Sequence, residues 1–487
     1  MFSKIRKGKW ELHNSTHLIL SGASESDTFL IKKNEEKKLS FVSSSGRNFT
    51  FQTEDMLNNT GFSFESVLRG LLGLLSLLAI GYLFSSDRRN INWGQVAKGI
   101  GLQIVLAVLI LKVPFVESGF EFLSRGFTKV VNMAHEGAEF VFGSVVTGDL
   151  NPIVKNFVTW ILPSVIFFSA LSALLYYWGI LQKFVYLMAV VMKRLMGLSG
   201  AESVAAAGNI FLGQTEAPLL VKPYLGRMTK SELMSLMVGG MATIAGGVLA
   251  AYIAFLGEGD KVKELFFAKH LLAASIMSAP AAIVFAKIIL PEKEKFDKNL
   301  EVSKEKLGSN ALEAIANGTS DGIRLAANVA AMLIVFISLI ALCNYILGLT
   351  GHYTGLNAVI ANGGQYDSLS FEFITGYLFS PLAWLMGVPW QDAMIIGQLM
   401  GEKTILNEFV AYPHLGKLQD ELTGKSVIMA TYVLCGFANF ASIGIQVGGI
   451  GALAPERKSE LARFGIKSLI AGTLACMMTA VLVGMIY

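Results

Sequence analysis

The residue types best able to do chemistry are concentrated in one stretch, Asn209-Ile-Phe-Leu-Gly-Gln-Thr-Glu-Ala-Pro-Leu-Leu-Val-Lys-Pro-Tyr224. Asn209, Gln214, Thr215 and Glu216 stand there among small and apolar residues, and Gly213, Pro218 and Pro223 interrupt any continuous helix. At membrane depth, irregular backbone is tolerated where it is buried in protein or lines a wet cavity. Broken segments of this kind hold polar substrates and ions near the bilayer midplane. The alternative is a solvated extramembrane loop, which the apolar surroundings of the polar core disfavour.

The elements around it must cross a membrane. Of 487 residues, 53% are hydrophobic and 16% charged, against about a quarter charged in soluble domains. Mean hydropathy is +0.54. Apolar segments at 67–84, 96–116, 153–180, 236–256, 270–290, 326–347, 427–450 and 466–487 each approach the ~20 residues a spanning helix needs. The segment 115–142 is interrupted by Glu117, Glu121, Arg125, Lys129, His135 and Glu136 and reads as an amphipathic surface helix, and 185–196 reads as an interfacial one. Two stretches, 201–224 and 371–412, are too broken to be simple spans and read as re-entrant hairpins. The expected fold is an all-α polytopic membrane protein with about eight transmembrane helices and two re-entrant hairpins.

Residues 1–62 stand apart as a polar, lysine-rich appendage before a membrane domain at 63–487. Short runs at 16–20, 29–32 and 39–43 read as strands, so a small β-rich unit is expected, with an unstructured tail as the alternative. The basic loops at 87–89, 183–194, 222–230, 287–306 and 456–463 are expected to be cytoplasmic, which puts both termini outside. The net charge of +4 is dispersed, which argues against nucleic-acid binding. Cys343, Cys435 and Cys476 lie in apolar segments without ligand spacing.

The two broken stretches echo each other. Phe211-Leu-Gly-Gln-Thr-Glu216 aligns with Leu399-Met-Gly-Glu-Lys-Thr404. A span with a polar, small-residue interruption follows each, at Gly239-Gly-Met-Ala-Thr-Ile-Ala-Gly-Gly-Val248 and at Cys435-Gly-Phe-Ala-Asn-Phe-Ala-Ser-Ile-Gly444. Loop charges give the two spans opposite directions, so residues of about 197–290 and 371–487 form an inverted repeat, a layout used by secondary transporters.

Gly-Gln-Thr-Glu-Ala-Pro-Leu at 213–219, Ala-Thr-Ile-Ala-Gly-Gly-Val-Leu-Ala at 242–250, Gly-Glu-Lys-Thr-Ile-Leu-Asn-Glu-Phe-Val-Ala-Tyr at 401–412 and Cys-Gly-Phe-Ala-Asn-Phe-Ala-Ser-Ile at 435–443 resemble the hallmark segments of the concentrative nucleoside transporters. The resemblance runs from about residue 65 to the C-terminus. It implies a homotrimer and cation-coupled nucleoside import by alternating access, with a transport part moving like an elevator against a scaffold. It implies no enzymatic chemistry and no cofactor beyond a coupling sodium ion.

By the same resemblance, Glu402 with Asn439 and Ser442 is expected on the ribose, a task suited to a carboxylate that accepts from hydroxyls. Gln214, Thr215 and Glu216 are expected on the base, with Gly213, Val248 and Phe437 shaping the cavity. The sodium ion is expected on the side chains of Asn209 and Thr243 and on the carbonyls of Asn209, Leu212 and Ile244. Lys403 and Asn407 are expected to orient the second hairpin, and Glu232, Glu372 and Glu408 to sit near interfaces or hold structure. The partners implied are a nucleoside such as uridine, cytidine or adenosine, sodium and the lipid bilayer. The expected location is a bacterial inner membrane. A proton-coupled symporter remains the alternative, with a polar-lined channel and an intramembrane hydrolase behind it.

Overall fold

A computed structural model describes residues 9–13, 17–21, 26–35, 38–43, 48–52, 64–146, 161–297, 299–300, 302–303, 308–362 and 366–487. The chain divides into two compact units. In the first, strands β1 (Lys9–His13), β2 (His17–Ser21), β3 (Ser26–Glu35), β4 (Lys38–Ser43) and β5 (Asn48–Gln52) form an antiparallel meander in sequence order. A register shift between Ile31 and Lys33 marks a bulge in the β3–β4 pair.

The second unit is helical. It opens with α1 (Phe64–Leu83), α2 (Trp93–Lys112) and α3 (Pro114–Val146), the last covering the expected amphipathic segment. The segment α4 (Leu162–Tyr177) bends by 77° into α5 (Ile180–Met196); the start of the span expected at 153–180 lies outside the described residues. A bend is dictated there because Gly179 adopts φ +72°, closing one helix and opening the next.

The first hairpin is α6 (Gly200–Asn209) followed by the single turn α7 (Ala217–Leu220) and a 3-10 turn at Lys222–Arg227. Ser199 and Glu202 form a capping box at the start of α6. Glu202 then pairs with Lys287, which also donates to Ser231 at 3.0 Å, fixing the hairpin base to the helices behind it. The next span is broken, as α8 (Lys230–Ala242) and α9 (Gly246–Gly257), and α10 (Lys261–Ile289) runs back unbroken through Pro280. A second capping box, Thr229 with Glu232, starts α8. Glu232 therefore caps a helix, and Glu372, which accepts from Asn344 at 2.9 and 3.2 Å, ties two helices together.

The long helix α11 (Ala311–Thr354) crosses α4 at Gly318 and Gly322, where a Cβ would lie 2.6 Å from Ala173 and 2.8 Å from Ile166. Small residues four apart bring helix backbones this close in membranes. A short α12 (Leu356–Asn362) follows.

The stretch expected as one hairpin at 371–412 holds three helices, α13 (Phe371–Leu385), α14 (Trp390–Ile405) and α15 (Glu408–Leu418). There are two reversals. The first, of 119°, lies between α13 and α14, where Gly387 takes φ +105° before Pro389. The second, at Leu406-Asn407, is the tip of the hairpin proper. Another broken span follows, α16 (Gly424–Leu434) and α17 (Phe440–Leu453), and α18 (Lys458–Ile486) closes the chain.

The order of hairpin, broken span and long helix thus occurs twice, ending in α10 and α18. Among the described residues, six helices are long and apolar enough to cross a membrane, or up to eight if each bent pair counts as one. The broken spans meet back to back. Gly436, at φ +99°, sits so near the end of α8 that a Cβ would come within 2.6 Å of the Ala242 carbonyl.

Candidate functional site

The two breaks gather most of the expected site residues. Asn209 is the last residue of α6 and is 1% exposed. Neither its amide oxygen nor its nitrogen has a partner among the described residues. Buried amides are ordinarily satisfied, so an orphaned one is open to a ligand. Its side chain lies against Gly239 of α8, where a Cβ would fall 2.5 Å from Nδ2. One turn later Thr243 ends α8, and its hydroxyl donates to the Gly239 carbonyl at 2.8 Å. That hydroxyl keeps its lone pairs free to accept. The carbonyls of Leu212 and Ile244 lie in unwound backbone of the hairpin and of the broken span. The tip is held to the break by Gly246 N–H donating to the Phe211 carbonyl at 3.2 Å. Asn209, Leu212, Thr243 and Ile244 therefore supply neutral oxygen donors around one helix break, a set that suits a hard cation.

Beside this lies a chain of polar side chains linking three elements. Gln214 Nε2 donates to Ser442 Oγ at 3.1 Å. Gln446 Nε2 donates to Gln214 Oε1 at 3.2 Å and to the Met237 carbonyl at 3.0 Å. Asn439 caps α17 by accepting from the Ser442 N–H at 2.9 Å, and its Nδ2 donates to Glu408 Oε2 at 2.9 Å. The first hairpin, the α17 half-helix and the second hairpin thus meet through Gln214, Ser442, Asn439 and Glu408. Thr215 packs near Gly449 of α17. Glu216 accepts the Gly213 N–H at 3.1 Å and closes the tip turn. Val248 and Phe437 are buried at the start of α9 and in the second break.

Glu402 does not join this group. It is 0% exposed, accepts from Gln398 Nε2 at 2.8 Å and faces His414 Nδ1 at 2.9 Å. The expected grouping of Glu402 with Asn439 and Ser442 is therefore corrected: the carboxylate against Asn439 is that of Glu408, 2% exposed. The reason is local. Helix α14 continues to Ile405, which leaves Glu402 a turn short of the tip, whereas Asn407 caps α15 by accepting from Val410 N–H and sets Glu408 at its first position. Gln446 is the other residue that sequence reasoning missed. It stands one turn after Ser442, a spacing that puts both on one helix face.

Lys403 is not paired with Glu402 either. Its ammonium donates to the carbonyls of Val433 at 2.9 Å and Cys435 at 3.4 Å, the unsatisfied end of α16. A cation there complements the negative end of a half-helix. Cys476 Sγ contacts the Cys435 carbonyl at 2.6 Å, so this cysteine packs against the same break.

Known proteins resemble this chain in sequence and in fold. Residues 72–145 and 270–484 match the models for the N- and C-termini of Na+ dependent nucleoside transporters, and 158–259 match a nucleoside-recognition "Gate" model. The chain is 42% identical over 427 residues to an uncharacterized transporter of Haemophilus influenzae, covering 86% of this chain and 98% of the other. It is 39% identical over 428 residues to the nucleoside permease NupC of Helicobacter pylori, again covering 86% and 98%. The structure of CNTnw in an inward-facing substrate-bound state superposes with a TM-score of 0.77 at 38% identity, covering 86% of this chain and 99% of that one.

Proposed function

Because the chain belongs to the Na+ dependent nucleoside transporter family, we propose that it imports nucleosides by sodium symport with the two helix breaks as its binding centre. The observation carrying the sodium assignment is Asn209, whose buried amide has no partner among the described residues and lies against Gly239, the residue whose carbonyl accepts from Thr243. Sodium is cargo here, entering on Asn209 and Thr243 side chains and on carbonyls of Asn209, Leu212 and Ile244. A cage of neutral oxygens needs no proton to release before it binds, which favours sodium over proton coupling.

The nucleoside lies between the hairpin tips. Glu408 and Asn439 take the ribose hydroxyls, since a buried carboxylate accepts charge-assisted bonds from a diol. Gln214 and Thr215 read the base directly or through water, and Gln446 holds Gln214 in orientation. Val248 and Phe437 give apolar walls. Glu216 shapes the first tip. Glu402, Lys403 and Asn407 support the second hairpin. Ions and substrate are coupled because Asn209 and Gln214 sit on one hairpin: a cation that fixes the tip also sets the base-reading amide.

Transport proceeds by alternating access, with the hairpins and broken helices of residues about 197–290 and 371–487 moving as an elevator against α1 to α4 and α11. The transporter works as a homotrimer in a bacterial inner membrane. The β-meander before residue 62 is an appendage to this machinery. The deciding experiment is radiolabelled uridine uptake into proteoliposomes. Accumulation driven by an inward sodium gradient supports the reading. Accumulation driven by protons alone moves the coupling to a carboxylate, and no uptake of uridine or adenosine under either gradient rejects it.

A further inference from the structure

We propose that Glu402 and His414 form a proton-binding clasp that holds the second hairpin in its substrate-ready shape. The proposal rests on the reading above, in which the tip of that hairpin presents Glu408 to the nucleoside. Five observations carry it. Glu402 is on α14 and His414 on α15, so the 2.9 Å contact between Oε2 and Nδ1 crosses the hairpin. Glu402 is buried, whereas the His414 side chain is 32% exposed. Behind Glu402 the chain continues: Gln398 donates to Glu402 Oε1 at 2.8 Å, and Tyr366 donates to Gln398 Oε1 at 3.0 Å. Gly376 makes room for this hydroxyl, because a Cβ there would lie 2.8 Å from it. The segment between the clasped residues contains Asn407 at the turn and Glu408 at the start of α15.

Electrostatics gives the clasp its pH dependence. With His414 protonated, a buried carboxylate faces a cation across the hairpin. With His414 neutral, that carboxylate keeps a neutral amide donor and a neutral ring, and a buried charge without a counter-charge is costly. The other groups facing His414 are Lys417 on its own helix and Glu372 on α13, and Tyr366 faces Glu402. Asn344 already engages Glu372, which leaves Glu402 as the group in direct contact with the ring. The clasp is complete where the imidazole is charged and is lost as pH rises through its titration. His414 is thus a positioning residue: it acts on the nucleoside through the tip.

The test is uridine uptake at saturating sodium, with KM and kcat followed from about pH 5.5 to about pH 8.5. Wild type is expected to show KM rising roughly fivefold with pH, the size of one partly exposed charge-assisted bond. His414→Gln and Glu402→Gln should each flatten the KM profile while leaving uptake active. A flat wild-type profile, or a His414→Gln profile that matches the wild type, overturns the clasp. Hydrogen exchange of backbone amides at 405–410 supplies a readout independent of transport. Protection there, corrected for intrinsic exchange, should fall as pH rises in wild type and stay level in Glu402→Gln. An unchanged difference between the two rejects the clasp even if the nucleoside reading itself has failed by absence of uptake.

Discussion

Asn439 donates its side-chain amide to Glu408 at 2.9 Å while its oxygen caps α17 through the Ser442 N–H. One asparagine thereby joins a helix break to a hairpin tip, and the amide that stabilises the half-helix also fixes a buried carboxylate. The pairing separates two glutamates that the sequence places six residues apart on the same hairpin. Glu408 faces the break, and Glu402 faces the other arm of its own hairpin.

Glu408→Gln should abolish or nearly abolish nucleoside uptake. Each hydrogen bond to a charged group contributes ~1.5–3 kcal/mol, so losing the charge should raise KM by about ten- to hundredfold. Initial rates across a uridine series, with size-exclusion profiles to verify assembly, check this. Glu402→Gln should change KM far less, by roughly fivefold at low pH and little at high pH, where the wild-type clasp is already open. Equal losses for the two variants would return the ribose role to Glu402.

Thr243→Val, which keeps the side-chain shape, should raise the sodium concentration for half-maximal uptake by roughly tenfold, the effect of ~1.4 kcal/mol. Asn209→Ala should do the same or more, because its amide has no other described partner. Uptake titrated with sodium at fixed uridine measures it. An unchanged sodium requirement in both variants removes them from the ion site.

Gly436→Ala should lower thermal stability in detergent by several degrees and reduce uptake. The residue sits at φ +99°, where a Cβ costs about 1 kcal/mol or more, and that Cβ would strike the Ala242 carbonyl. Gly444→Ala, where a Cβ meets nothing described within 4 Å, is the control and should be silent.

A pH effect is expected in the polar turn after α1. Asp87 accepts from Lys293 at 2.5 Å and from Asn90 at 2.7 Å, and these bonds hold its carboxyl down to about 2. A depressed carboxyl contributes stability above its ordinary value, and this is lost as pH falls through its folded value. Hydrogen exchange at 85–91 should therefore rise between about pH 4 and pH 2. Salt should reduce the effect, since the pair is exposed, and Lys293→Ala should remove the larger part of it, leaving the Asn90 bond.

Much of this molecule was legible in the sequence. Hydropathy located the spans because a bilayer demands long apolar helices whatever their packing. Glycine, proline and isolated polar residues located the breaks at 243–245 and 435–439, because those types either cannot continue a helix or cannot face lipid. The grouping of Asn209 with Thr243 and of Asn439 with Ser442 followed from the motifs of a known family, whereas the contact of Gln214 with Ser442 came from the tertiary structure. What the tertiary structure decided was which of two nearby carboxylates meets Asn439. That choice depends on α14 extending to Ile405 and turning at Leu406-Asn407, a boundary set by capping and packing that residue type alone does not fix. The same holds for Lys403, which passes over the adjacent Glu402 to reach carbonyls that lie thirty residues away in sequence and become neighbours when α16 packs behind the hairpin.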